Sequence, residues 1–494
     1  MVKWISYWRS VRLAGLTTVT MVALGSVLAV TSGLPIVSAQ GAPPSPPVTF
    51  SKDILPILQR SCQECHRPDS IAPMSLLTYE NARPWARAIK AKTALRGRPG
   101  AMPPWFVEKT IGIQEFKNDT SLSEAEIAMI AAWADTGAPQ GNPADAPTPR
   151  QFVDNKAWKI GQPDLIVEGP QVEMQATSPD WWGSVPGEVP SGLTEDRYVS
   201  AIQMREITDS VEGDARQTVG GRFIIHHMGF IAGAGDLQQD IAEGGFAAGV
   251  VSGLHEVGRN EDVLDPEAGP LMKAGSKLTF GLTNHLHANG RHTKAHLEIG
   301  FKFHPKGYKP TKVVRSMGLF GNSLNLDIKG MTANQKFEAF TVLPENVKIL
   351  AFEPHMHAAG VRMCMDAIWG AGVAFETLSC VGYDHSWVRI YNYADDHAPL
   401  LPKGAILRIT GTFDNTPSNK NVADPRNWSG LGHRSIDNMM NQLGQVQLLT
   451  DTEFQREMAQ RRLNLHLTPG QRVLGCPLCS SPAAPGVSTG GANQ

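Results

Sequence analysis

Residues 347–360 read VKILAFEPHMHAAG. An apolar run stopped by Pro354 reads as a β-strand and its end, with His355 and His357 placed just beyond the stop. The same form recurs in RFIIHHMGFIAGAG, KLTFGLTNHLHANG, LEIGFKFHP, FEAFTVLP and AILRITGTFDNT. Gly, Pro and Asn punctuate these runs, so the expected fold is all-β sandwiches, not βαβ units. Roughly 300 residues of this pattern make two sandwiches of about 100–150 residues each.

The chain has 494 residues, 41% hydrophobic and 19% charged, which is ordinary globular composition and room for about three domains. A net charge of −2 with no basic run argues against a nucleic-acid partner. The opening segment MVKWISYWRSVR carries Lys3, Arg9 and Arg12, and the apolar stretch LAGLTTVTMVALGSVLAV follows it. With the small residues of PIVSAQ behind it, this is the pattern of a secretory signal peptide over 1–39, cut after Ala39. An uncleaved membrane anchor is the alternative. On either reading the mature chain is periplasmic or secreted, and it meets the membrane only if the segment is retained. No later segment approaches the length needed to span a bilayer.

Six cysteines are present, and an oxidising compartment permits disulfides. Cys62, Cys65 and His66 form the C-x-x-C-H by which a c-type haem is attached: two thioethers, and an axial imidazole on the iron. Before the motif, Ile54, Leu55, Ile57 and Leu58 fall at helical spacing. After it, SLSEAEIAMIAAWADTGAP reads as a helix with a capping box at Ser123 and Glu126 and a stop at Gly137 and Pro139. An α-helical cytochrome c domain is therefore expected over 48–140. Met102, in AMPPW, is the favoured sixth ligand, and Met74 is the other candidate. GAPQGNPADAPTPRQ leads into a linker taken as 141–158. The two β-sandwiches then cover 159–310 and 311–465, with a tail over 466–494. Cys364 and Cys380 flank a hairpin-like stretch they can close. Cys476 and Cys479 lack a following histidine, so a second haem is not expected; a small disulfide and a metal site both stay open.

Of fifteen histidines, three clusters stand out: His226 and His227, His285 and His287, and His355 and His357. Residues i and i+2 of a strand share a face, so His355 and His357 can reach one metal directly. Adjacent His226 and His227 need a departure from ideal strand geometry, such as a bulge. Isolated His255, His304, His397 and His466 read as surface or hydrogen-bonded residues. Imidazole suits Zn, Cu, Fe and Ni, and H-E-x-x-H is absent; a nitrogen-rich site completed by thioether sulfur favours copper.

On IIHHMGF, NHLHANG, PHMHAAG, FDNTPSNKNVADP and WSGLGHRSIDNMM, residues 160–455 resemble the copper type II, ascorbate-dependent monooxygenases. That family includes peptidylglycine α-hydroxylating monooxygenase and dopamine β-monooxygenase. CQECHRPDSIAPMSLLTYENARPWA, MPPW and KIGQPDLIV are similar to a bacterial cytochrome companion of that domain. The resemblance implies two copper ions. One would be held by His226, His227 and His285, and the other by His355, His357 and Met439, with Met440 pointing away. It implies that His355, His357 and Met439 form the catalytic site, where O2 hydroxylates a C–H bond, while the all-histidine copper delivers an electron. His287 is read as an extra residue beside the first site.

The expected protein is thus an exported copper-dependent monooxygenase acting on an unknown small molecule. Its electrons would come through one covalent haem c, from ascorbate or a periplasmic redox protein. The alternative is a non-catalytic haem and copper protein for electron transfer or redox sensing. The sequence departs from the peptide-amidating members where they anchor a substrate carboxylate: Glu353 and Leu443 stand in place of arginine and tyrosine. A neutral or cationic substrate is expected, with Asn441 matching the family and available to line the pocket.

Overall fold

The computed structural model describes residues 47–480, apart from 69, 71, 73, 153–156, 210–222, 234–250, 257–260, 317–325, 371, 373, 386, 433 and 435. The expected signal segment and residues 481–494 lie outside the described residues.

The described chain is predominantly β-sheet. Helical segments come first, at Phe50–Ile54, Leu55–Ser61, Tyr79–Ala82, Ala86–Thr93 and Glu124–Asp135. Ile54, Leu55, Ile57 and Leu58 all turn inward and share one core with Ile89, Ile130 and Trp133. Ser123 and Glu126 exchange side-chain and backbone hydrogen bonds as a complete capping box, satisfying donors the helix start leaves open. Glu126 also accepts from Arg60 at 2.6 Å, tying the helix Glu124–Asp135 to Leu55–Ser61.

The first β unit has two sheets. One runs in the order Trp181–Pro190, Lys277–Leu286, Ile225–Gly233, Val251–Glu256. The other runs Leu165–Glu168, Thr293–Phe303, Arg197–Thr208, Glu261–Val263. Thr293–Phe303 shows why these residues make a strand: Thr293, Ala295, Leu297, Ile299, Phe301 and Phe303 are buried at every second position. They meet Val185, Phe230, Leu278 and Phe280 of the facing sheet in one core.

The second β unit repeats the plan. Its larger sheet runs Val107–Gly112, Ala374–Gly382, Gly360–Trp369, Ile406–Asn415, Thr332–Val342. Its partner runs Val313–Ser316, Gln445–Leu449, Asn346–Ile349, Leu400–Leu401. Met363, Met365, Leu407, Ile409 and Phe413 pack against Val347, Ile349, Leu401 and Val446 between them. Cys364 and Cys380 are directly opposed across two of these strands and form a disulfide.

Two stretches sit elsewhere than the expected boundaries suggest. Val107–Gly112, counted above with the helical region, is the edge strand of the last large sheet. Residues 466–480, counted above as tail, fold back: Cys476 and Cys479 form a disulfide and pack with Leu400, Phe454 and Met458. Hydrogen bonds hold the stretch expected as linker within its length and just past its end. Arg150 donates to the Gln59 carbonyl at 2.6 Å, and the Lys159 amide donates to Gln203 at 2.7 Å. No helix among the described residues is long and apolar enough to cross a membrane.

Candidate metal centres

The first centre grows from an irregular ladder. His227 lies opposite His285 and Ile225 opposite Leu286, so His226 is an extra residue on its strand, a bulge. The bulge turns adjacent side chains toward one point: donor atoms of His226, His227 and His285 all lie within 4.8 Å of one another. Asn284, fully buried, holds the irregular stretch by accepting from the Gly229 amide at 3.1 Å and donating to the Phe280 carbonyl at 2.9 Å.

Two side chains position His285. Its Nε2 is 3.0 Å from the Asp180 carboxylate, and its ring stacks on Trp182 at 4.7 Å and 14°. An ionised carboxylate only accepts, so the pair places the imidazole proton on Nε2 and the lone pair on Nδ1. Burial, and then the neighbouring imidazoles of His285 and His227, push the His226 imidazole down to about 2. It is therefore held neutral, the form that ligates metals. Its Nδ1 is buried with no hydrogen-bond partner. Three converging imidazoles, one of them with an orphaned nitrogen, fit a borderline or soft transition metal. His287 stands beside them, its ring 6.2 Å from that of His226 and 6.5 Å from that of His285.

The second centre sits on the short pair Pro354–His357 and Asn438–Gln442. His355 is opposite Asn441 and His357 opposite Asn438, so here the extra residue is on the partner strand. His357 has φ of 122°, a conformation rarely adopted outside glycine and costing about 1–3 kcal/mol. The two imidazole Nε2 atoms are 3.1 Å apart. Two nitrogens each about 2.0–2.1 Å from a single ion span about that distance at angles between square and tetrahedral, so the pair fits a metal.

Alternation along Asn438–Gln442 decides which sulfur is available. Met440 is fully buried in the core with Met356, whereas Met439 and Asn441 are half-buried on the other face, the face of His355. Gly411 makes the room: a Cβ there would lie 2.7 Å from the Met440 Sδ. Glu353 is buried, its amide donating to Gln442 at 2.6 Å and its carbonyl accepting from the Leu443 amide at 3.0 Å.

Cys62 and Cys65 are not in a disulfide, although the other four cysteines are paired. Cys62 follows the helix Leu55–Ser61, and the His66 amide donates to its carbonyl at 2.9 Å. His66 Nδ1 lies 3.2 Å from the Met74 carbonyl, which can only accept. That bond orients the ring and puts the lone pair on Nε2, the atom that could ligate a metal. Two thiols not tied to each other and an oriented imidazole fit covalent haem. Burial pushes the Cys62 thiol up to about 12, and burial also raises Cys65 against the opposing charge of Arg389. Met74 packs its side chain in the helical core, and Met102 is half-buried with its amide donating to the Lys92 carbonyl at 3.3 Å.

Another convergent group, Glu168, His296 and Glu298, is partly neutralised by Arg205, whose guanidinium pairs with Glu298. His255 and His304 are buried: His304 Nε2 bonds the Ala268 carbonyl at 2.8 Å, while burial lowers His255 to about 4. Asp180, Trp182 and His385 are residues the sequence did not single out. The first two come to His285 through the pairing of Trp182 with it across a ladder. His385 follows the strand Ala374–Gly382, its ring 6.0 Å from that of His357.

No protein-family model matches the chain, and no curated protein matches it. Among solved structures, one titled "Structure of infectious bursal disease virus Gx strain" aligns at 9% identity and a TM-score of 0.16, covering 60% of this chain and 74% of that one. So loose a superposition carries no argument.

Proposed function

We propose that this chain is an exported, haem-linked copper monooxygenase that hydroxylates a C–H bond of a small neutral or cationic molecule. The observation that carries the proposal is the contrast between its histidine centres. Donor atoms of His226, His227 and His285 converge in one β unit; His355 and His357 converge in the other, where Met439 lies on the paired strand. Copper held there would supply one-electron chemistry and activation of O2, the thioether favouring Cu(I) at the second centre.

The chain's own residues divide the remaining work. His226 is kept unprotonated by burial, so protons do not compete for its lone pair near neutral pH. Asp180 and Trp182 fix the His285 ring. Asn441, opposite His355 and half-buried, would contact a molecule bound there. At positions where a carboxylate-binding relative would need a cation and a phenol, Glu353 and Leu443 are joined through their backbones, which supports a substrate without an anchored carboxylate.

Cys62 and Cys65 are the proposed thioether attachments of a haem, with His66 and Met102 its proposed iron ligands, and its electrons would pass to the copper of His226, His227 and His285. Hydrogen bonds tie the segment around Met102 to the second β unit. The Gly100 amide donates to Asp384 at 2.7 Å, and the Gly382 amide donates to the Phe106 carbonyl at 2.9 Å. The disulfides are compatible with an oxidising compartment.

Metal analysis and substrate-dependent O2 uptake on the purified chain test the proposal. Copper and covalent haem should both be present, and Met439→Ala should abolish uptake while the haem spectrum persists. Unchanged uptake in Met439→Ala would refute the assignment of the second centre. Stopped-flow reduction checks the electron route: haem that is reduced while copper stays oxidised through many turnovers refutes it.

A further inference from the structure

The two methionines that could serve the haem iron belong to different parts of the fold. Met74 packs against the helical core. Met102 touches the helical region through its amide, which donates to the Lys92 carbonyl at 3.3 Å. On either side of it the chain is held by the second β unit. Two residues before, the Gly100 amide donates to the Asp384 carboxylate at 2.7 Å. Three residues after, Trp105 is buried in the core of the second β unit, edge-to-face with Tyr391 at 5.1 Å. Phe106 then accepts from the Gly382 amide at 2.9 Å, and its own amide donates to the Tyr391 hydroxyl at 3.4 Å. The two backbones meet so closely that a Cβ at Gly382 would lie 2.7 Å from the Gly97 carbonyl oxygen. Asp384 is itself buried, so this anchor is shielded from water.

We propose that the second β unit completes the haem site, with Asp384 as the positioning residue that holds the Met102 loop in place for the iron. The inference rests on the haem reading of Cys62, Cys65, His66 and Met102 and extends it. A thioether is a neutral donor, and its hold on a metal depends on how firmly its surroundings present it. A loop anchored only at the helix Ala86–Thr93 would lose conformational freedom on ligating, and that loss opposes the bond. Anchors at Gly100, Trp105 and Phe106 remove the freedom in advance. The Asp384 carboxylate makes the stronger, charge-assisted kind of bond to the Gly100 amide. Parted from the second β unit, the helical region would keep the thioether attachments and His66 and lose the sixth ligand. Methionine opposite histidine raises the haem potential, so that potential depends on the docking of the two parts.

The test uses the full chain with its haem oxidised, titrated with imidazole as a competitor for the sixth position. The charge-transfer band of methionine-bound ferric haem should be present in the parent and absent from Met102→Ala. Asp384→Leu removes the acceptor and keeps the bulk. It should let imidazole displace the methionine at about 10–100-fold lower concentration and should lower the haem potential. Asp384→Asn keeps an oxygen for the Gly100 amide and should restore the parent's response to imidazole. Gly382→Ala, which pushes the two backbones apart, should act in the same direction as Asp384→Leu. An unchanged response in Asp384→Leu overturns the inference, and Gly382→Ala decides in the same way should Asp384→Leu fail to fold. A methionine band that is missing from the parent, or that survives Met102→Ala, overturns it too. In all these outcomes covalent haem, measured as the pyridine haemochrome, is still present and its attachment through Cys62 and Cys65 stands. A parent without covalent haem overturns the haem reading, and this inference falls with it.

Discussion

The two histidine centres solve one problem by opposite means. Each must aim neighbouring side chains at a point, which a regular ladder does not allow. In the first, the extra residue is a donor itself, His226, and the remaining aiming is done by side chains, Asp180 and Trp182 on His285. In the second, the extra residue lies on the partner strand and the aiming is done by the backbone, with His357 held at φ of 122°. A centre aimed by side chains can be retuned by substituting its neighbours. A centre aimed by backbone is tied to the packing of the whole strand pair.

The largest effect expected from this difference is on metal content. His226→Ala with His227→Ala should remove one copper equivalent and leave the other, and His355→Ala with His357→Ala should do the reverse; metal analysis reads both, and loss of both metals from either variant would show the centres are not independent. Next comes packing. Met440→Ala should cost about 2–5 kcal/mol in urea unfolding, because it empties a fully buried site behind the second centre. A cost under ~1 kcal/mol would mean the strand pair is not anchored through that sulfur.

Acid should separate the units further. His255 is buried in the first unit, its imidazole lowered to about 4 by burial. The unfolded chain takes up a proton near pH ~6.5 and the folded chain does not until about 4, so metal-free stability should fall as pH drops through that window. His255 contributes on the order of 3 kcal/mol to that fall. His255→Gln should flatten the urea midpoint against pH, and an unaltered slope would exclude this residue as the cause. The smallest effect is at Asp180. Asp180→Asn should weaken metal at the first centre by about 10–100-fold and leave the second untouched, by competition titration.

Much of the β architecture was legible because its cause is local. Alternation in Thr293–Phe303 and the stops at Gly, Pro and Asn are consequences of which face each residue buries. The helix at Glu124–Asp135 was readable through Ser123 and Glu126, whose capping chemistry spans three residues. That Met439 and Met440 differ in exposure follows from adjacency on an extended segment; which of them faces the histidines does not follow from the pattern. What was hidden depends on distant partners. KTIG in Val107–Gly112 carries no signal that its partner strand is Ala374–Gly382. Asp180 reaches a histidine 105 positions away only through the register of Trp182 on His285. The position of His385 depends on a turn clamped from Gly100, in a different part of the chain.

The alternation of buried and half-buried sulfur has a consequence for wear. A centre that handled O2 would sometimes release peroxide, and methionine is readily converted to the sulfoxide. Met356 and Met440 are fully enclosed, so the accessible thioether at this ladder is that of Met439. Damage would then fall on the soft donor and spare the core. The chain would lose its affinity for Cu(I) while keeping its shape, a lesion that sulfoxide reductases can reverse.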